Sequence, residues 1–222
     1  MDQGQVDGQN TILNVWEKHC INRDVRWLSY ILATTIHETA STMQPIAEYQ
    51  GSSQSYGQID PETGQRYYGR GFVQLTHRTN YARADGEMGW TGGHSCEWNA
   101  ELQLTSYYAA ATMFVGMYQG WFRIKDGHPE TLGRHFNDNL DDPNGARNII
   151  NGDQNVKPSW GGGLTVPQIV TGYHKNFLKA LEASWEEAVS PPNPPPRPDQ
   201  TVYLTIDAPP GVTVDVQQVD HG

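Results

Sequence analysis

Arg66 to Tyr81, RYYGRGFVQLTHRTNY, concentrates the chemistry-bearing side chains of this chain. It holds tyrosines, an arginine between two glycines, a glutamine, two hydroxyls and an asparagine. Rings that can stack, beside neutral hydrogen-bonding groups, suit a sugar better than a phosphate or a hydride donor. The segment itself contains no carboxylate. Upstream stands Glu38, in His37-Glu38-Thr39, and a carboxyl group paired with such a strip points to glycan cleavage by acid–base chemistry.

Glu38 falls at the end of a helix. Asp24 can cap a helix running to about Thr39, with Leu28, Ile31, Leu32, Thr35 and Ile36 as its apolar stripe. Glu38 lies beside that stripe at the C-terminal end. Partial desolvation and the negative end of the helix dipole both favour a protonated carboxyl there, as a general acid requires. Residues 40–66 read as a long loop, rich in Gly, Ser and Pro, of the kind that often binds ligands. The loop supplies three candidates for a second carboxylate: Glu48, Asp60 and Glu62.

Other elements must position these groups. Asn10 can cap a helix to about Cys20. Gly69–Leu75 reads as extended, and Thr76 can cap a helix to about Met88. Asn99 can cap another to about Met117, and 129–140 also reads as helical. Pro167 opens a last amphipathic helix whose Ile169, Tyr173, Phe177, Leu181 and Trp185 recur every four residues. Composition changes abruptly at Ser190. Pro191 to Pro198 form a stiff linker, followed by two alternating segments that predict a β-hairpin.

The ordered set His37-Glu38-Thr39, Tyr67-Tyr68-Gly69-Arg70-Gly71-Phe72-Val73-Gln74-Leu75-Thr76-His77, Asn80-Tyr81 and Asn148-Ile149-Ile150-Asn151-Gly152 resembles family 19 glycoside hydrolases. These comprise the plant-type chitinases and bacteriophage endolysins with a lysozyme-like helical fold. Thr42 to Tyr49 looks closest to the endolysin branch. The resemblance spans about residues 10–188. It implies a mainly α, lysozyme-like two-lobed helical domain over 1–189, a proline-rich linker at 190–200 and a short β-hairpin tail at 201–222. The tail is a candidate docking or self-association element.

The resemblance also implies roles. Glu38 matches the general acid, and Thr76 a hydroxyl that helps hold the attacking water. Gln74 and Asn80 match groups that hydrogen-bond the sugar, Tyr67 a cleft aromatic and Asn151 a substrate-side amide. His37, Tyr68, Arg70 and Tyr81 join this substrate-side set, with His37 and Arg70 as braces more than reactants. The base ranks Glu48 first, Glu62 second and Asp60 third. The family inverts, which calls for carboxyls about 6.5–9.5 Å apart. An arginine of the last helix region positions the acid in chitinases, whereas the corresponding stretch here reads Val166-Pro167-Gln168-Ile169.

Composition narrows the class. The net charge of −10 argues against non-specific nucleic-acid binding and adhesion to anionic membranes. His37-Glu38 lacks the second histidine of a zinc protease, since position 41 is Ser. Gly69-Arg70-Gly71 lacks the further residues of a nucleotide loop. No metal or organic cofactor is expected. Cys20 and Cys96 read as reduced thiols, with one disulfide as the alternative. The N-terminus shows no signal peptide and no segment spans a membrane. A soluble protein made in a host cytoplasm and delivered to the wall is expected.

The expected activity is therefore inverting hydrolysis of β-1,4 linkages between amino sugars of bacterial cell-wall peptidoglycan, in the manner of an endolysin. Two alternatives stand beside it: a chitinase acting on N-acetylglucosamine polymers, and a non-catalytic glycan-binding component of a phage particle.

Overall fold

The computed structural model describes residues 2–19 and 24–189. The expected linker at 190–200, the hairpin at 201–222 and Cys20 lie outside the described residues. The chain folds into two helical lobes with small antiparallel pairs between the helices, the mainly α architecture that the sequence predicts.

The larger lobe is built on α1 (Gln3–His19), α2 (Val25–Glu38), α4 (Ser106–Gln119) and α6 (Val166–Val189). Helix α2 is buried at every position from Trp27 to Thr35, packed against α6. Asp24 caps it, accepting from the Arg26 amide at 3.0 Å. Tyr30, Ile31, Phe72, Met113, Phe136 and Val170 belong to its core. The smaller lobe gathers around α3 (Arg78–Met88), with Tyr67, Leu75, Tyr81, Cys96 and Trp121 as its core. Cys96 is a buried free thiol, pushed up to about 12 by desolvation.

Four local expectations are corrected. Helix α1 starts at Gln3, not Asn10, because the Asp2 carboxylate accepts from the Gln5 amide at 2.9 Å and caps it. Helix α3 starts at Arg78, because the Thr76 hydroxyl turns back to the Gln74 carbonyl at 2.8 Å and does not cap. After Asn99 comes a 3-10 turn, Ala100–Leu104, before α4 begins. Finally, 129–140 is not one helix. It holds only α5 (Leu132–His135), flanked by two hairpins, β3–β4 (Ile124–Lys125 with His128–Pro129) and β5–β6 (Phe136–Asn137 with Leu140–Asp141). Turn chemistry wins there: Asn137 accepts from the Asn139 amide at 2.9 Å and reverses the chain. No helix among the described residues is long and apolar enough to cross a membrane.

Candidate active site

Helix α2 ends at Glu38, and Thr39 is its C-cap. The Thr39 amide and hydroxyl both donate to the Thr35 carbonyl, and the same hydroxyl accepts from the Met43 amide at 3.0 Å. The chain then turns through left-handed residues Ala40, Ser41 and Met43, with φ of 48°, 68° and 55°. Such angles are costly outside glycine and persist only where surroundings enforce them. Part of the enforcement comes from α1: a Cβ on Gly8 would lie 1.8 Å from the Met43 carbonyl oxygen, so only glycine admits the turn. The turn delivers β1 (Ile46–Ala47) to β2 (Arg70–Gly71), antiparallel, with Ile46 opposite Gly71 and Ala47 opposite Arg70.

That pairing places Glu48 beside Gly69. The Glu48 amide donates to the Gly69 carbonyl at 2.7 Å, and the Gly69 amide donates back to Glu48 Oε2 at 3.0 Å. A Cβ on Gly69 would stand 2.8 Å from Gln74 Oε1 and 3.3 Å from Glu48 Oε2. Gly69 is thus the gap through which Glu48 and Gln74 approach one another. The Tyr56 hydroxyl donates to Glu48 Oε1 at 2.5 Å, and its ring meets His77 edge-on at 5.4 Å.

Glu38 is held from the other side of the sequence. Arg147, on a 3-10 turn from Gly145 to Ile149, donates through Nη1 to Glu38 Oε1. Its Nε and Nη2 donate to the two oxygens of Asp153, each at 2.7 Å. The guanidinium is only 2 % exposed, and its two carboxylate partners keep it charged despite burial. Burial alone would raise the Asp153 carboxyl. Hydrogen bonds and charge from Arg147 outweigh that and hold it below its ordinary value.

The cation that holds Glu38 is thus Arg147, not a residue of the last helix. Arg147 sits immediately before the Asn148–Gly152 motif, on the 3-10 turn. Arg147 and Asp153 lie 6 residues apart across a turn. Nothing local connects either residue with Glu38.

His37 lies half-buried next to this triad. Burial first, and the Arg147 cation second, lower its pKa, with Glu38 and Asp153 pulling the other way. Its Nδ1 is buried without a hydrogen-bond partner, a further cost to protonation, because imidazolium would make that atom a donor. An unfolded chain takes up this proton near pH 6.5. As pH falls through that value the unfolded state binds more protons than the folded state, so stability is lost on acidification and is insensitive above it. Thermal melts should therefore show wild type losing Tm more steeply between pH 7 and 5 than His37→Gln does. Parallel curves would show that His37 does not resist protonation.

The other expected site residues divide into two groups. Gln74, at φ 56°, donates to the carbonyls of Ile46 and Gly71, and Asn80 donates to the Thr76 carbonyl at 2.8 Å. With the Thr76 hydroxyl on Gln74, these form a chain of contacts running on from Glu48. Asn151 is exposed and its side chain accepts from the Gly152 amide.

Tyr67 and Tyr81, expected to face a ligand, are instead core: 3 % and 0 % exposed, and packed edge-on at 5.1 Å. The Tyr67 hydroxyl is engaged with Thr63 and the Glu97 carbonyl. Arg70 is buried as well. It bonds Glu101, the Arg66 carbonyl and the Tyr81 hydroxyl, and it lies 3.8 Å over the half-buried Tyr68 ring. It binds the smaller lobe together from within.

Asp60 and Glu62 are committed elsewhere. Asp60 accepts from the amides of Glu62 and Thr63. Arg78 binds Glu62 at 2.6 Å and reaches Asp60 at 3.4 Å. The turn amides chiefly lower Asp60, and the Arg78 hydrogen bond chiefly lowers Glu62.

The site thus sets one carboxyl on an arginine–aspartate clamp at a helix end, and another on a two-strand pairing. Solved structures share the overall fold. Chitinase C from Streptomyces griseus HUT6037 matches with a TM-score of 0.53 at 18% identity, over 82% of this chain and 71% of its own. A bacterial family 19 chitinase matches with 0.50 at 20% identity, over 79% and 85%. A family 19, class IV chitinase from Zea mays matches with 0.51 at 16% identity, over 82% and 86%. No family model and no curated protein sequence matches the chain.

The fold is thus that of the family 19 chitinases. This corrects the expectation of an endolysin acting on peptidoglycan: these neighbours are chitinases, and nothing in the likeness favours a phage, bacteriolytic or lysozyme-type protein or a cell-wall partner. Self-association or docking through the tail also has no support, since the tail lies outside the described residues.

Proposed function

We propose that this chain is a chitinase of the family 19 type, hydrolysing β-1,4 linkages in N-acetylglucosamine polymers with inversion at the anomeric carbon. Residues 1–189 form its catalytic domain, and 190–200 a proline-rich linker. The observation that carries this reading is the pair of differently held carboxyls on a fold shared with chitinases. Glu38, fixed by Arg147, gives its proton to the glycosidic oxygen. Glu48, oriented by Tyr56 and the Gly69 amide, activates a water that Thr76 helps to hold. Gln74 and Asn80 line the sugar's path. No step requires a metal or organic cofactor.

The reading is tested by incubating the protein with N-acetylglucosamine oligomers and following the products by NMR. Formation of the α-anomer first is expected. Intact oligomers would sink the activity, and a β-anomer product would sink the inverting mechanism. Assignment of the base is tested separately. Glu48→Gln should lower turnover by about 10²-fold or more, whereas Asp60→Asn and Glu62→Gln should stay within a fewfold of wild type. A normal rate in Glu48→Gln with loss in Glu62→Gln would move the base to Glu62.

A further inference from the structure

One large aromatic beside the Glu38 clamp has no place in the chemistry above. Trp160 is 65 % exposed, yet its ring lies 6.1 Å from that of His37, tilted by 43°. His37 is the residue next to Glu38. Single exposed apolar residues are ordinary on a surface, so position and support must carry the argument.

The support is specific. Trp160 stands in Ser159-Trp160-Gly161-Gly162-Gly163, with Gly162 and Gly163 in left-handed backbone at φ 61° and 86°. Gly161 is backed tightly: a Cβ there would lie 2.8 Å from Ile169 Cδ1 on α6 and 3.1 Å from the Pro158 ring. The Gly161 amide donates to the Pro158 carbonyl, and the Leu164 amide to the Gly161 carbonyl. The loop is therefore pinned to the start of α6 immediately after the indole. One part of the ring contacts the histidine and the rest stays open to solvent. An indole presents a wide apolar face with a single N–H donor, a form suited to ligands with one apolar face and polar edges. A pyranose ring with equatorial substituents has that form.

We infer that Trp160 is a substrate-positioning residue, a stacking platform for an N-acetylamino sugar ring on the Glu38 side of the site. This rests on the chitinase reading and adds to it a contact that the acid, base and amide groups do not supply. Trp160 takes no part in proton transfer. It should act on binding of the chain more than on bond cleavage.

The test uses N-acetylglucosamine oligomers and the variants Trp160→Ala and Trp160→Phe. In Trp160→Ala, KM should rise about tenfold, as expected for loss of one aromatic contact, with kcat changed less than threefold. Trp160→Phe, which keeps a ring, should recover most of the affinity. A KM unchanged in Trp160→Ala overturns the inference, as does an equal loss in both variants or a fall confined to kcat. If wild type cleaves no oligomer, the chitinase reading fails on its own. The platform is then judged by oligomer binding to Glu38→Gln, with and without Trp160→Ala. Weakening by about tenfold upholds it, and equal or absent binding ends it.

Discussion

Glu38→Gln is expected to lower hydrolysis of N-acetylglucosamine oligomers by about 10²–10⁴-fold, the usual worth of a positioned general acid. Stability should change little. Glutamine keeps the shape of the side chain, and its carbonyl can still accept from Arg147 Nη1. Arg147 also keeps both of its bonds to Asp153, so no buried cation is left without a partner. The check is a steady-state rate on oligomers alongside a thermal melt of the same preparation. Residual activity within tenfold of wild type would remove Glu38 from the acid's role. A large drop in Tm would mean that the rate loss reports unfolding instead of chemistry.

The second large effect belongs to Arg147. Arg147→Met removes the cation from between Glu38 and Asp153, whose side chains are only 15 % and 18 % exposed. Two partly desolvated carboxylates then face each other without compensation. Breaking such a buried cluster costs about 3–5 kcal/mol, and partial exposure of the carboxylates points to the lower end. For a domain of this size that is roughly a 10 °C fall in Tm. Activity should fall as well, because the acid loses the group that orients it. Arg147→Lys should be intermediate, since an ammonium keeps the charge but cannot bind both Asp153 oxygens and Glu38 at once. Combining Arg147→Met with Asp153→Asn should cost less than the sum of the single losses, because one stranded charge is removed. A melt unchanged by Arg147→Met would show that the clamp contributes nothing to folding.

Where local chemistry decides structure, the residues were legible. Asp24 caps α2 as its type and place suggest, and the four-residue recurrence from Ile169 to Leu181 lies in α6. The helix-end position of Glu38 also follows from pattern alone. Legibility failed where competing local signals were close in strength. The stretch 129–140 has helical composition, but it begins at the end of the β3–β4 hairpin, and the Asn137–Asn139 turn ends it in a second hairpin, leaving a single helical turn between. It failed again for the aromatics, because a tyrosine that stacks on a sugar and one that packs a core have the same type and spacing. Tyr67 and Tyr81 are the second kind, while Trp160 is exposed.

By itself, then, the sequence determined the helical framework, the carboxyl at the end of α2 and the ordered motif set that points to one fold. These depend on interactions within a few residues of each other. Only tertiary structure decided which groups surround that carboxyl. Arg147 is 109 residues from Glu38, and Glu48 finds Gly69 only after a left-handed turn lets β1 meet β2. Asp60 and Glu62 are taken up by Arg78. Ion pairs and strand registers join distant parts of the chain without a periodic trace. They form because a buried charge must find its counter-charge, and the fold decides which one is within reach.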